Sequence, residues 1–195
     1  KISKVEGVDL RLDYFGKYDP TRPGSMGYNW RSIVWYPGEQ VAYAVHGNSG
    51  CLFKFDPKEK KVEIVDRITS EPSRKSGMFD QFSYGYLGFN LGNDHETIYY
   101  LTGGPVYKDG KRVKGVDEIA IGAARGLENL HLITYNIPTG KYIDHGPIFY
   151  KDGSRPTYVN SIALDKAGNV YTLARFVHNG KEVEDLVKIP DPFGK

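Results

Sequence analysis

Two pairs of segments in this chain align on each other without a gap. Residues 55–68, opening Phe55-Asp56-Pro57, match residues 135–148, opening Tyr135-Asn136-Ile137. Residues 32–45 match residues 161–174 in the same way. Each matched stretch holds alternating apolar residues on either side of a turn rich in Pro, Gly, Asp or Asn. Alternation with period two marks a half-buried strand, because successive side chains leave a strand on opposite faces. The repeating unit is therefore strand, turn, strand, loop, strand, turn, strand. Such a unit cannot cover its own faces and must stack on its copies.

Reading for alternation and turn residues gives three units. The first has strands over 31–36, 41–46, 51–56 and 62–67, the second over 84–91, 97–102, 130–136 and 141–144. The third has strands over 160–165, 170–175 and 186–189 and lacks an outermost one. Residues 8–15, with Leu10, Leu12 and Tyr14 alternating against polar neighbours, read as an outermost strand with no unit ahead of it. Four-stranded antiparallel units in series are the blades of a β-propeller. The expected fold class is thus all-β, the chain being about three blades, the C-terminal part, of a larger ring. Its parts are the orphan outer strand at 8–15, blades at 31–67 and 84–146, and an incomplete last blade at 160–189. An open stack leaves sheet edges and apolar faces bare. The first partner expected is therefore the remaining blades, from N-terminal sequence or another chain, with a ring of two or more copies as the alternative. Residues 103–129 interrupt the second blade. They hold a small hairpin turn at Tyr107–Arg112 and an Ala/Gly/Ile run over 118–126 fit for one or two helical turns, together capping one face.

Composition agrees with this reading and narrows the partners. Aromatics make up 13% of the 195 residues, with 15 Tyr, and 23 Gly punctuate the strands. Lys and Arg number 26 against 24 acidic residues, a net charge of +2, so bulk charge calls for no nucleic acid. The lone Cys51 rules out an intramolecular disulfide and a cysteine-cluster metal site, and its place at a strand start suits a buried thiol. No apolar run is long enough to span a bilayer, so no membrane partner is expected, and Lys1-Ile2-Ser3-Lys4 is not a signal peptide. The chain reads as beginning inside a domain, and an extracellular or periplasmic location is favoured.

The second blade resembles a kelch repeat. It carries Thr102-Gly103-Gly104 after its second strand, and Tyr135 stands seven residues before Tyr142. Kelch repeats fill that spacing with Tyr and Trp. The chain departs from the pattern at Tyr142, which replaces the Trp, and in the other blades, where the Gly pair is His46-Gly47 or Arg175-Phe176. A looser resemblance is to secreted bacterial propellers that process acidic polysaccharides, some of them lyases. That resemblance implies a Tyr or His base and an Arg or His that neutralises a uronate.

In a propeller one face is built by the loops joining blades and by those joining second to third strands. Each blade-joining loop here has an Arg followed by a Tyr: Arg22 and Tyr28, Arg74 and Tyr84, Arg155 and Tyr158. Asn160 lies beside the last pair and Trp30 beside the first. The second-to-third-strand loops add His46, Asn48, Tyr107, Arg125 and His178. Guanidinium forks pair with carboxylate or sulfate, and Tyr and Trp faces stack on sugar rings. The competing reading makes each repeated Arg a brace on blade backbone. His46 is the leading acid–base candidate, held toward the face by the Gly47–Gly50 turn, against the reading of a satisfied loop histidine. His131 and His145 are expected in packing or surface roles, and His95 on the opposite face. Trp35 is expected between blades, and Trp30 along the channel. Asn93, Asp94 and Glu96 form an acidic turn that lacks the spaced ligands of a calcium loop, so no metal and no cofactor is expected.

The leading function from sequence is recognition of an anionic carbohydrate on this face. The alternatives are β-elimination on a uronate-containing glycan, with His46, Tyr84 or Tyr158 as base, and a protein scaffold acting through 103–129.

Overall fold

The computed structural model describes residues 2–3, 6, 30–46, 50–76, 88–102, 107–108, 111–112, 130–153, 156, 158–178 and 181–194. They form three consecutive antiparallel sheets of propeller-blade design. Strands β1 (Trp30–Tyr36), β2 (Val41–His46), β3 (Cys51–Asp56) and β4 (Lys61–Arg67) pair in chain order as the first sheet. A short helix, α1 (Glu71–Ser76), leads toward the second. That sheet takes β5 (Phe89–Leu91), β6 (Thr97–Leu101), β9 (His131–Asn136) and β10 (Lys141–Pro147), again side by side in chain order. Between β6 and β9 a separate hairpin joins β7 (Tyr107–Lys108) to β8 (Lys111–Arg112), the hairpin turn expected within the insertion. The third sheet is β11 (Tyr158–Leu164), β12 (Val170–His178) and β13 (Lys181–Ile189). Among the described residues it has three strands, as its sequence suggested.

The turns explain why the repeat folds alike each time. Gln40, Lys60 and Gly140 each end a four-residue hairpin turn in the left-handed region, at φ of 58°, 53° and 65°. Ahead of two of these turns a short polar side chain satisfies the turn's own amides. Asp56 Oδ1 accepts from Lys58 N (2.8 Å) and Glu59 N (3.1 Å), and Asn136 Oδ1 accepts from Thr139 N (3.2 Å). Asp and Asn are suited to this role because their acceptors reach the backbone two and three residues on.

The sheets stack so that the middle one is buried on both faces. Along β9, Ile133 and Tyr135 join the cluster shared with the first sheet, whereas Leu132 joins the cluster shared with the third. Strand β6 divides likewise, Ile98 and Tyr100 one way, Tyr99 and Leu101 the other. Fully burying such side chains contributes about 1.5–3 kcal/mol each. The inner strands β1, β5 and β11 lie next to one another across the stack. On the outward face of the first sheet, Ile33 and Trp35 are 68% and 48% exposed. On that of the third sheet, the cross-strand pair Leu173 and Leu186 is exposed.

Several expectations change. Trp35 lies outside the interface, because alternation along β1 turns Val34 and Tyr36 toward the second sheet and Trp35 away from it. Strands β12 and β13 pair continuously from Val170↔Ile189 to His178↔Lys181, well past the limits of 175 and 186. Their alternation there is masked by Glu182, Glu184 and Asp185. Strand β11 begins at Tyr158, two residues ahead of the expected limit of 160, so Tyr158 belongs to a strand and not to the blade-joining loop. Strand β10 runs to Pro147 through a bulge between Asp144 and Pro147. The segment 8–15 and the run 118–126 lie outside the described residues.

Candidate functional site

The strand ends opposite the hairpin turns form the face on which the sequence places its ligand. His46 closes β2 there, opposite Trp30 in register. The imidazole is 2% exposed. It is therefore a buried side chain and not one presented on the surface. The backbone around it explains why. Gly50 N donates to His46 O (2.7 Å), and Ile68 N donates to Gly50 O (2.6 Å), so the linker beyond β4 is drawn down over the strand end. Gly50 adopts φ +63°, and a Cβ there would stand 2.5 Å from Thr69 Cγ2 and 2.6 Å from Thr69 N. Only glycine allows this approach.

Arg74 sits on α1 and turns back on its own linker. Its guanidinium donates to Arg67 O (2.8 Å), pairs with Asp66 (3.0 Å) and lies 4.3 Å above the Tyr142 ring. Tyr142 in turn donates its hydroxyl to Thr69 O (2.6 Å). Every one of these contacts braces the linker between the first and second sheets. Tyr107 is in the β7–β8 hairpin, and His178 ends β12 opposite Lys181. Asn160 lies at the bulge of β11, where its carbonyl accepts from Thr172 Oγ1 (3.2 Å). Among the described candidates only Trp30 and His46 are neighbours in register. Arg22, Tyr28, Asn48, Tyr84, Arg125 and Arg155 lie outside the described residues.

The polar cluster the sequence did not single out is on the same face, at the first residue of β9. His131 Nδ1 is 2.8 Å from both carboxylate oxygens of Asp144 on β10. Both side chains are almost fully buried. Asp144 also accepts from Gly146 N (2.8 Å) and from Glu71 N at the start of α1 (2.6 Å). Burial alone would raise the Asp144 carboxyl. The bonds from His131, Glu71 and Gly146 outweigh that and hold it below its ordinary value. An ionised Asp144 keeps the His131 proton on Nδ1, which leaves Nε2 as the nitrogen with a lone pair. No described residue hydrogen-bonds that nitrogen.

The gap-free alignment of the first two blades carried the signal for this pair. Position 131 corresponds to Cys51 and position 144 to Ile64, so an apolar pair in one blade is a hydrogen-bonded polar pair in the next. Neither substitution means much alone. The register, with Ile133 opposite Asp144 and His131 opposite Pro147, brings the two together. His145, one residue on, faces the third sheet. There its Nε2 meets Thr134 Oγ1 at 2.8 Å, and burial pushes its pKa down. His95 ends up exposed in a hairpin turn on the opposite face, as expected. In that turn Asp94 Oδ1 accepts from Glu96 N (3.0 Å) and Thr97 N (2.9 Å).

No family model matches the chain, and no curated protein matches it. Among solved structures it is similar to a candidate gluconolactonase at 12% identity and a TM-score of 0.47, over 87% of this chain and 48% of that one. It is also similar to the major allergen Mala s 1 of Malassezia sympodialis, at 16% identity and a TM-score of 0.44, over 81% and 48%. A candidate 6-phosphogluconolactonase from Bacteroides uniformis matches at 11% identity and a TM-score of 0.37, over 81% and 39%. The chain thus spans less than half the length of each of these structures.

Proposed function

We propose that this chain contributes to a carbohydrate site on the face opposite the hairpin turns, that the ligand is anionic, and that His131 replaces His46 as its acid–base group. The His131–Asp144 pair carries this reading. An imidazole with Nδ1 locked by a carboxylate offers one defined nitrogen to a ligand. As an acceptor, Nε2 takes a sugar hydroxyl. As a base, it removes the proton α to a uronate carboxylate while the bond to the leaving glycosidic oxygen breaks and a double bond forms. The carboxylate of such a ligand needs a cation, and Arg22 and Arg155 are the loop arginines for it. Arg74 is committed to Asp66, Arg67 and Tyr142.

The experiment compares the chain with a His131→Gln variant on a panel of acidic polysaccharides, by calorimetry and by ultraviolet absorbance of the unsaturated uronate. An absorbance rise that the variant loses identifies elimination. Heat of binding without the rise, weakened in the variant, identifies a binding module. Absence of both signals, or signals indifferent to His131, refutes the proposal.

A further inference from the structure

A second cleft opens on the opposite face, where the hairpin turns lie. It encloses about 490 Å³ between the second and third sheets, a volume within the range of small-ligand pockets. Its walls are turns and strand ends. Asn93 and Asp94 come from the β5–β6 turn, Asn136, Thr139 and Lys141 from around the β9–β10 turn, and Lys166 from the β11–β12 turn. The tail after β13 crosses it as a strap. Asp191 N donates to Asn169 Oδ1 (3.2 Å), and Phe193 N donates to Asp191 Oδ1 (3.1 Å). The Phe193 ring meets Tyr99 edge-on at 6.4 Å and His145 at 5.3 Å.

Most of the wall is already fixed by its own hydrogen bonds. Asn136 Nδ2 donates to Thr97 Oγ1 (3.2 Å), Thr139 Oγ1 donates to Asn136 Oδ1 (2.6 Å), and Asn93 ties its turn to the Asp165 carbonyl. Thr97 Oγ1 donates to Asp94 Oδ2. Against this network three kinds of group stand open. The Tyr99 side chain is 7% exposed, yet its hydroxyl has no hydrogen-bond partner among the described residues. A phenol hydroxyl in a cleft wall can both donate to and accept from a ligand. Lys141 and Lys166 carry no ion pair among the described residues. Asp94 accepts three donors, which leaves room for a fourth on Oδ2.

The charges in the wall balance. Two carboxylates, Asp94 and Asp191, face two ammonium groups, Lys141 and Lys166. Burial first, then Asp191 and Asp94, push the Tyr99 phenol up to about 12, so it stays a neutral donor and acceptor. With its charges balanced, the wall singles out neither an anion nor a cation. A neutral ligand that both gives and takes hydrogen bonds fits, with one apolar side for Tyr99, Phe193, Ile143 and Leu164.

We infer that this cleft is a second binding site, for a neutral saccharide unit, with the Tyr99 hydroxyl as its deep hydrogen-bonding group. Carboxylate oxygens accept sugar hydroxyls, ammonium groups donate to sugar oxygens, and ring edges cover the C–H face of a pyranose. The preordered wall keeps the loss of side-chain freedom on binding small.

Saturation-transfer NMR with D-glucose, D-galactose and D-mannose tests this, with D-glucuronate as the charged comparison. The expected result is millimolar binding of at least one neutral hexose. Tyr99→Phe weakens it about five- to tenfold, the effect of one lost hydrogen bond, with little change in melting temperature because the hydroxyl has no partner among the described residues to lose. Lys166→Met, in an exposed turn, weakens it severalfold. No binding by any of the three hexoses overturns the inference. So does binding that both Tyr99→Phe and Lys166→Met leave intact, or tighter binding of glucuronate that depends on Tyr99.

Discussion

Replacing Asp144 by Asn should destabilise the fold by about 3 kcal/mol at pH 7. The number follows from where the donors sit. Glu71 N bonds Oδ2 (2.6 Å), Gly146 N bonds Oδ1 (2.8 Å), and His131 Nδ1 touches both oxygens. An amide has one acceptor oxygen, so either orientation turns its NH₂ group onto one of the two backbone donors. One buried N–H left unsatisfied costs about 1–3 kcal/mol, and the surviving bonds lose their charge assistance, about 1 kcal/mol more. The pH dependence has a fixed direction. The folded-state pKa of Asp144 is depressed. Its contribution is therefore present above the unfolded carboxylate value of about 3.9 and is lost as pH falls through the folded value. The gap between wild type and Asp144→Asn is full at pH 7 and closes in acid. Urea unfolding at descending pH measures it. With a slope of about 2 kcal/mol/M, the midpoint at pH 7 drops by roughly 1.5 M while the slope stays the same. A gap under about 0.5 kcal/mol at pH 7, or one that persists unchanged into acid, would refute the account of the pair.

Two backbone substitutions test the fold around the same face and its opposite. Gly50→Ala drives a Cβ into the Thr69 backbone at a positive φ, and chemical denaturation should show a loss of about 3 kcal/mol or more. Lys60→Gly relieves a left-handed residue in an exposed turn, and the same measurement should show a gain of about 0.5 kcal/mol after the entropy of the added glycine is subtracted.

The first sheet was legible in the sequence almost to the residue, since its first three strands stop at Pro37, Gly47 and Asp56. What alternation missed is instructive. Helix α1 is only six residues long, too short for a 3.6 period to show, although Ser70 ahead of it and Pro72 at its second position are helix-start residues. The outer half of the β12–β13 hairpin failed for a different reason. Its charged residues lie on a strand that no other described strand covers, so burial imposes no pattern on them. At the candidate site, register adds what residue type cannot show. His46 is prominent in sequence because it precedes a glycine-rich turn, and its side chain is buried. His131 was read as a packing or surface residue because its partner lies 13 residues away on the adjacent strand. The groove on the turn face was invisible in one dimension, being assembled from three turns and a tail that no motif connects.

Strand β13 presents nine residues of backbone whose outer edge meets no other strand among the described residues. Such an edge is a template for fibril growth. Here Lys181, Glu182, Glu184, Asp185 and Lys188 make five of its nine residues charged. In a parallel, in-register fibril each would stand about 4.8 Å from its own copy, a repulsion of about 0.9 kcal/mol per pair in water. An identical strand is thus penalised at five positions at once, whereas a strand of opposite charge order is not. The edge can stay open to a different sequence while rejecting its own copy in parallel, in-register pairing.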